Sequence, residues 1–510
     1  VEIHGQVFCF QEDAMTGEEA FARLEEIDRK ITMLSHIAAV LEWDNELYAP
    51  ILESEERGRQ MGYLSSEIHI LETSDEMGEL VSRLEGYGKD DFEKALIRER
   101  RRAYRREKAL PPDLVLRLSQ AKARGYAVWV QARKDNDFKA FIPSLKEIVS
   151  LSREAACAYA HGELGLYDAL LDGYEEGMTC AEVDRLFGIL KPVLCELVSL
   201  RSAEKVDDSF LRKPYEVAKQ DAFANQVMTD MGFDFTRGCR GVSAHPFTSA
   251  LGNDDVRITT RYTDPSVMDS FFSTVHESGH ALYEQAASSG RLKGTSLAGG
   301  ASYGMHESQS RLWENLIGRS RAFWDHYYPL FRQTFPEQTE GVSQEAFYHA
   351  VNKVGVSYIR TNADEVSYGL HIMLRYELEK RLVSGELMVE EVPSAWNELS
   401  QNLLGLPIRD DRQGCLQDVH WASGDIGYFP TYVLGNLYGA QIWSALSSRM
   451  DVEKLLSEGD LRTISRWLAE NIYVNGMLYT PQDLLFRVTG RGLDAKPFTD
   501  YLVDKYRTSW

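Results

Sequence analysis

Apolar residues recur every three or four positions along most of this chain, and that period admits helices and little else. Thr16 and Glu19 form a T-x-x-E capping box, and behind it Phe21, Leu24, Ile27, Ile31, Leu34, Ile37 and Leu41 mark one face of an amphipathic helix. Similar patterns cover 60–85, 90–108, 113–135, 145–165 and 181–202, then 266–288, 302–320, 344–383 with breaks, 390–402, 430–448 and 460–472. Prolines number only 15, and Pro111-Pro112-Asp113 sits where a helix begins. The clearest strand is Asp255 to Tyr262, which alternates and is rich in β-branched residues, with 238–249 extended or looped before it. The period predicts a mainly α fold with a small β-sheet just before the 266–288 helix.

A chain of 510 residues is long enough for a large core, and it contains no apolar run of about 18 residues, so no membrane span is expected. Its formal charge of −22 argues against a nucleic-acid partner, since phosphate backbones need a basic face. The basic segment Arg98 to Lys108 is accordingly expected to be a solvated helix face. Cys9, Cys157, Cys180, Cys195, Cys239 and Cys415 form no C-x-x-C pair, and are expected to be free, mostly buried thiols. Residues 1–14 lack a basic stretch followed by an apolar one, so the expected location is cytoplasmic. They read as an N-terminal extension: a tag, a processed end or a misplaced start.

His276-Glu277-Ser278-Gly279-His280 carries the chemistry. On a helix, positions i and i+4 stack on one face, so two imidazoles so placed can bind one zinc while the adjacent Glu277 takes a proton from an attacking water. Asp264 fits an N-cap with Pro265 behind it. Gly279 inside this helix costs about 1 kcal/mol relative to Ala, which points to a close backbone approach. A catalytic zinc needs a third protein ligand. Positions 283 and 286 are Tyr and Ala, so it comes from elsewhere, and the next helix offers His306, Glu307 and Glu314. The spacing alone does not choose among them.

H-E-x-x-H followed by His306-Glu307-Ser308-Gln309 resembles the M32 family of metallocarboxypeptidases. Further motifs match in order: His245-Pro246-Phe247, D-x-R-x-T from Asp255 to Thr259, I-R-x-x-A-D-E from Ile359 to Glu365, and G-x-x-Q-D-x-H-W from Gly414 to Trp421. Similarity also covers Leu41 to Asp44, Tyr167 to Asp172 and Gly427 to Tyr432.

The resemblance implies a deep-grooved helical fold of the neurolysin and angiotensin-converting-enzyme type. Residues 15–200 would form one wall and 201–510 the zinc-bearing part, in one continuous peptidase unit. It implies zinc, or cobalt or another divalent metal, on His276, His280 and Glu307, with Glu277 as general base. His420 and Tyr432, with Tyr428 as a third, would face the oxyanion. Arg257 and Arg360 are the candidate receptors for a substrate carboxylate, either of which could instead be a structural ion-pair partner, with His245 near the same subsite. Asp364 and Glu365 would orient the histidines or lie on a helix surface. The implied activity is release of single residues, with broad specificity, from peptides with a free C-terminus, by a homodimer. The alternatives are a dipeptidyl carboxypeptidase or oligopeptidase of related fold, and a helical binding protein with a dead site.

Overall fold

The computed structural model describes residues 15–160, 164–262 and 266–508. Helix α1 (Gly17–Leu47) opens with the expected capping box: Thr16 N donates to the Glu19 carboxylate at 2.8 Å, and Glu19 N donates to Thr16 Oγ1 at 3.2 Å. Its apolar face is buried from Ala20 to Ile31, after which Leu34 and Leu41 are half-buried and Ile37 is exposed. Trp43 is buried again, its ring 5.4 Å from Phe247. Helix α2 (Ser54–Thr73) has no buried residue. The single helix expected over 60–85 is broken, because Ser74 ends α2 and caps Asp75–Arg83, its Oγ accepting from Met77 N at 3.1 Å. Helix α3 (Asp91–Ala109) follows, N-capped by Asp90.

Phe21 and Leu24 of α1, Leu80, and Phe92 and Leu96 of α3 share one core, closed by Leu292 and Leu297. The principal core runs from Trp129 to Tyr506 and crosses residue 200 without interruption.

The sheet forms where expected. Strands β1 (Arg240–Val242), β2 (Thr248–Gly252) and β3 (Asp255–Thr260) lie in the order β1-β3-β2. The central β3 runs parallel to β1, with Gly241 opposite Thr259, and antiparallel to β2, with Ser249 opposite Arg257. It stops short of Tyr262, and the Thr260 hydroxyl donates to Ser270 O of the following helix at 3.1 Å.

That helix, α4 (Val267–Ala287), carries H-E-x-x-H and is buried around most of its circumference. The expected caps Asp264 and Pro265 lie outside the described residues; the cap seen is Ser266, whose Oγ accepts from Met268 N at 3.2 Å. Helix α5 (Tyr303–Arg311) was expected to continue as α-helix, but passes instead into a π-helical turn, Leu312–Ile317. Helices α6 (Tyr368–Ser384) and α7 (Pro430–Ser447) complete the surroundings of the site. The helices Val217–Met231, Arg321–Thr334, Val452–Glu458, Pro481–Thr489 and Lys496–Val503 were not foreseen.

Gly279 explains how α4 and α5 meet. A Cβ there would lie 2.6 Å from Gln309 O and 2.8 Å from Ser310 Cα, so the close approach expected from its place in the helix is real. On the other side of α5, a Cβ on Gly435 of α7 would lie 2.8 Å from Glu307 Cβ, and one on Gly439 would lie 3.0 Å from Ser308 O. Helix α5 is clamped between two neighbours at glycine positions.

Among the described residues no helix is long and apolar enough to cross a membrane. Cys9 lies outside the described residues; of the others, Cys157, Cys180, Cys195, Cys239 and Cys415 are free, only Cys415 is buried, and Cys157 and Cys239 are exposed. The expectation of mostly buried thiols was wrong.

Candidate metal centre and active site

Helix periodicity puts His276 and His280 one turn apart on α4, their ring centroids 5.0 Å from each other. The clamped α5 brings Glu307 across to them. Its Oε2 lies 3.6 Å from His276 Nε2 and 3.4 Å from His280 Nε2. The three residues offer ligand atoms that all lie within 4.8 Å of one another.

The remaining donors are held from behind. His276 Nδ1 is 2.9 Å from Glu314 Oε2. His280 Nδ1 is 2.6 Å from His306 Nδ1, and His306 Nε2 is 2.6 Å from Glu284 Oε1. Arg311 Nε donates to Glu307 Oε1 at 2.7 Å and its Nη1 to Glu314 Oε2 at 3.2 Å. So the three candidates for third ligand divide the work: Glu307 faces the histidines, while Glu314 and His306 each fix a ring from outside. Two imidazoles with their Nε2 atoms free and a carboxylate suit a divalent cation such as zinc, and anchored outer nitrogens are the usual support for such a centre.

The electrostatics agree. Burial and then the neighbouring imidazoles push His280 down to about 3, which keeps it neutral and its lone pair available. Burial alone would raise Glu307, but Arg311 and His276 outweigh it and hold the carboxyl well below its usual range. Glu314 is brought to about 2 against burial, chiefly by Arg311. Burial pushes Glu277 up.

Glu277 faces a cavity of about 650 Å³ that also holds the three candidate ligands. Strand β2 positions it: the Thr248 hydroxyl donates to Glu277 Oε2 at 2.6 Å and lies 3.0 Å from Glu277 O. Tyr428 and Tyr432 line the same cavity, their rings 5.1 Å apart. Burial raises both phenols, which keeps them protonated as donors. His420 stands behind them, with Nε2 3.2 Å from Tyr432 OH and Nδ1 buried without a partner. Burial, then Arg360, lowers it to about 4.

Both candidate arginines already hold carboxylates. Buried Arg360 donates to Asp418 at 3.0 Å and to Tyr368 OH at 2.9 Å, with its guanidinium 5.0 Å from the Tyr432 ring centre. Arg257 is bidentate on Asp255, at 2.8 and 2.6 Å, and is half-buried away from the cavity lining. His245 is exposed in the β1–β2 loop. Neither Asp364 nor Glu365 touches the ligand histidines or lies on a helix surface. Asp364 accepts from Val366 N at 2.8 Å and Ser367 N at 3.0 Å, ahead of α6. Glu365 is buried on Lys505 Nζ, at 2.8 Å, and Tyr506 OH, at 2.9 Å. The outer contacts to the two histidines come instead from Glu314 and His306.

Thr248 and Arg311 were missed by sequence reasoning. Arg311 was readable, four residues after Glu307 and three before Glu314 on the same helix face. Thr248 carried no signal, since its strand reaches Glu277 only through the sheet.

Residues 23–506 match the family model described as Carboxypeptidase Taq (M32) metallopeptidase. Thermostable carboxypeptidase 1 of Thermus thermophilus is 40% identical over 509 residues, covering 96% of this chain and 99% of that protein. Carboxypeptidase 1 of Bacillus subtilis is 37% identical, covering 94% of this chain and 96% of its own length. The crystal structure of the M32 carboxypeptidase from Deinococcus radiodurans superposes with a TM-score of 0.91 at 37% identity, covering 96% and 98% of the two chains. Sequence, helical fold and donor cluster thus agree, and the chain belongs to the M32 family of metallocarboxypeptidases, hydrolases that depend on a divalent metal.

Proposed function

We propose that this metallocarboxypeptidase uses zinc, replaceable by cobalt or another divalent ion, to release single amino acids with broad specificity from peptides with a free C-terminus. The convergence of His276, His280, Glu307 and Glu277 on one cavity carries the reading. Zinc, when bound by the first three, would supply Lewis acidity, bringing the pKa of a water toward about 7 and polarising the scissile carbonyl. Glu277, made more basic by burial and aimed by Thr248, takes the proton of the attacking water and passes it to the leaving amine. Tyr432 and Tyr428 donate to the oxygen that becomes negative, with His420 setting the Tyr432 hydroxyl. Arg360 is the favoured receptor for the terminal carboxylate because its guanidinium lies 5.0 Å from the ring centre of Tyr432, a residue of the cavity wall, with Arg257 and His245 as the alternatives. A homodimer in the cytoplasm, with peptides rather than nucleic acid or membrane as partner, belongs to the same reading; it rests on the family resemblance, the net charge of −22 and the free thiols.

Paired peptides with free and amidated C-termini test the exopeptidase step. A charge-assisted contact contributes about 1.5–3 kcal/mol, so amidation should lower kcat/KM by roughly 10–150-fold. Arg360→Ala should lose a similar factor on the free peptide and little more on the amidated one, closing a double-mutant cycle. Equal cleavage of both peptides by the wild type would replace this reading with an oligopeptidase.

A further inference from the structure

The basic segment Arg98 to Lys108 is solvated at Arg105 and Lys108, as expected, but part of it also lines a cavity. Lys94, Arg98, Arg101, Arg102, Arg105 and Arg106 of α3 recur at the spacing of one helix face, and that face looks into a second cavity of about 480 Å³. Arg100, on the other side of the helix, is buried on Asp28 at 3.1 Å and Glu72 at 3.2 Å, which leaves the stripe turned to the cavity. Among the described residues of the lining, Asp172 and Glu176 are the only carboxylates opposing the six cations. Arg102 and Arg106 share Asp172, at 3.0 and 3.3 Å. Glu99 and Glu85 reach Arg98 and Arg101 at 2.8 and 3.6 Å. Even with these two counted, six cations face four carboxylates among the described residues. Lys94 and Arg105, both exposed, make no ion pair with any described residue. In a chain of charge −22 this is a marked local reversal. The cavity adjoins the catalytic one, since Arg102 and Glu176 line both.

We propose that the cationic cavity is a remote subsite for carboxylates of the bound peptide, so that the enzyme favours substrates with acidic residues upstream of the C-terminus. The inference rests on the carboxypeptidase reading above for the peptide itself. Positive groups along the wall of a cavity raise the local concentration of an acidic chain and hold its side chains, and salt weakens both effects. Arg102, at the shared wall, marks where a peptide leaving the catalytic cavity would meet the stripe.

Two metal-loaded proteins decide it: the wild type and the Lys94→Gln/Arg105→Gln double variant, whose changes are exposed and leave the Arg102–Asp172 pair intact. The substrates share one C-terminal half and differ upstream, with a run of glutamates in one and glutamines in the other. Wild type should prefer the acidic peptide in kcat/KM by roughly fivefold at low salt, and the preference should shrink in high salt and in the variant, with the neutral peptide cut alike by both. Calorimetric binding of the same peptides should show the same order. Equal handling of the two peptides by wild type, or an undiminished preference in the double variant, overturns the proposal. So does tight binding of tripolyphosphate, lost in the variant, without any acidic-peptide preference, since the cavity then serves a free anion. Failure to cut either peptide would instead strike the carboxypeptidase reading, and the calorimetric comparison would still judge the subsite.

Discussion

Helix α4 and helix α2 are of nearly equal length, 21 and 20 residues, yet α4 is buried on most sides and α2 has no buried residue at all. The contrast extends to their neighbours. Helix α5 is clamped by glycines of α4 and α7, whereas Met33, Ile37 and Val40 of α1 and Tyr63 and Ile70 of α2 are each at least 45% exposed. Helices that carry ligands must hold their positions to within a few tenths of an ångström, and only packing on several sides does that. Helices that carry no part of the site need no such precision, and can be held along one edge.

The largest effect should come from the locked region. Glu277→Gln should keep the bound metal and lose activity by about 10²–10⁴-fold or more, because the ligands are untouched while the proton acceptor has gone. Metal analysis beside turnover checks this, and near-normal turnover with stoichiometric metal would remove Glu277 from the mechanism. Next, Glu307→Ala should come out of dialysis without metal, while Glu314→Ala should retain it with affinity weakened about 10–100-fold, as for loss of a group supporting a ligand. Reversal of that order would mean the outer carboxylate is the true ligand.

A smaller effect tests how the locked region responds to pH. Glu175 is fully buried behind the start of α5, accepting from Tyr438 OH at 2.8 Å, Ser302 Oγ at 2.9 Å and Gly304 N at 2.9 Å. Burial, only partly offset by these bonds, raises its pKa from 4.5 to about 7. The folded protein therefore binds this proton more tightly than the unfolded chain. The resulting stabilisation is complete below about pH 4.5 and disappears as pH rises through about 7, a change of up to about 3 kcal/mol. Glu175→Gln should flatten that part of the profile, so urea unfolding of both proteins at pH 5 and 8 should show the variant gaining on wild type at the higher pH. Parallel profiles would mean the group is ionised throughout. At the small end, Ile70→Ala on α2 should change stability by no more than about 0.5 kcal/mol, whereas Phe271→Ala on α4 should cost about 3–5 kcal/mol. Comparable losses would erase the contrast between the two regions.

Much of this was legible because it is local. H-E-x-x-H states its own geometry, since one helical turn links the two rings and the glycine between them marks the contact with α5. The third ligand was not legible from spacing, because His306, Glu307 and Glu314 sit on one helical stretch and only its docking decides which of them faces α4. The wide turn at Leu312–Ile317, which sets where Glu314 points, leaves no periodic mark. Resemblance to the M32 motifs chose Glu307, and the geometry is consistent with that choice. Arg321–Thr334 escaped notice for another reason: Pro329 lies inside it, and its burial of Phe323, Trp324, Tyr327, Tyr328 and Phe331 is a tertiary fact. The basic stripe of α3 is solvated at Lys94 and, as expected, at Arg105, but that it lines a cavity was not legible, because composition reports charge and not where a face points.

The glycine contacts on both sides of α5 act as mechanical stops. A centre whose ligand spacing depended on side-chain rotamers would yield to a larger ion by a small torsion. Here backbone rests near backbone at Gly279 and Gly439, and Gly435 closes on the stem of Glu307. Any side chain added at these glycines would therefore push α5 away from α4 or α7 and carry the Glu307 backbone with it. The separation of the α4 and α5 backbones is in this sense a dimension of the helix stack, set by residues that offer no donor atom of their own.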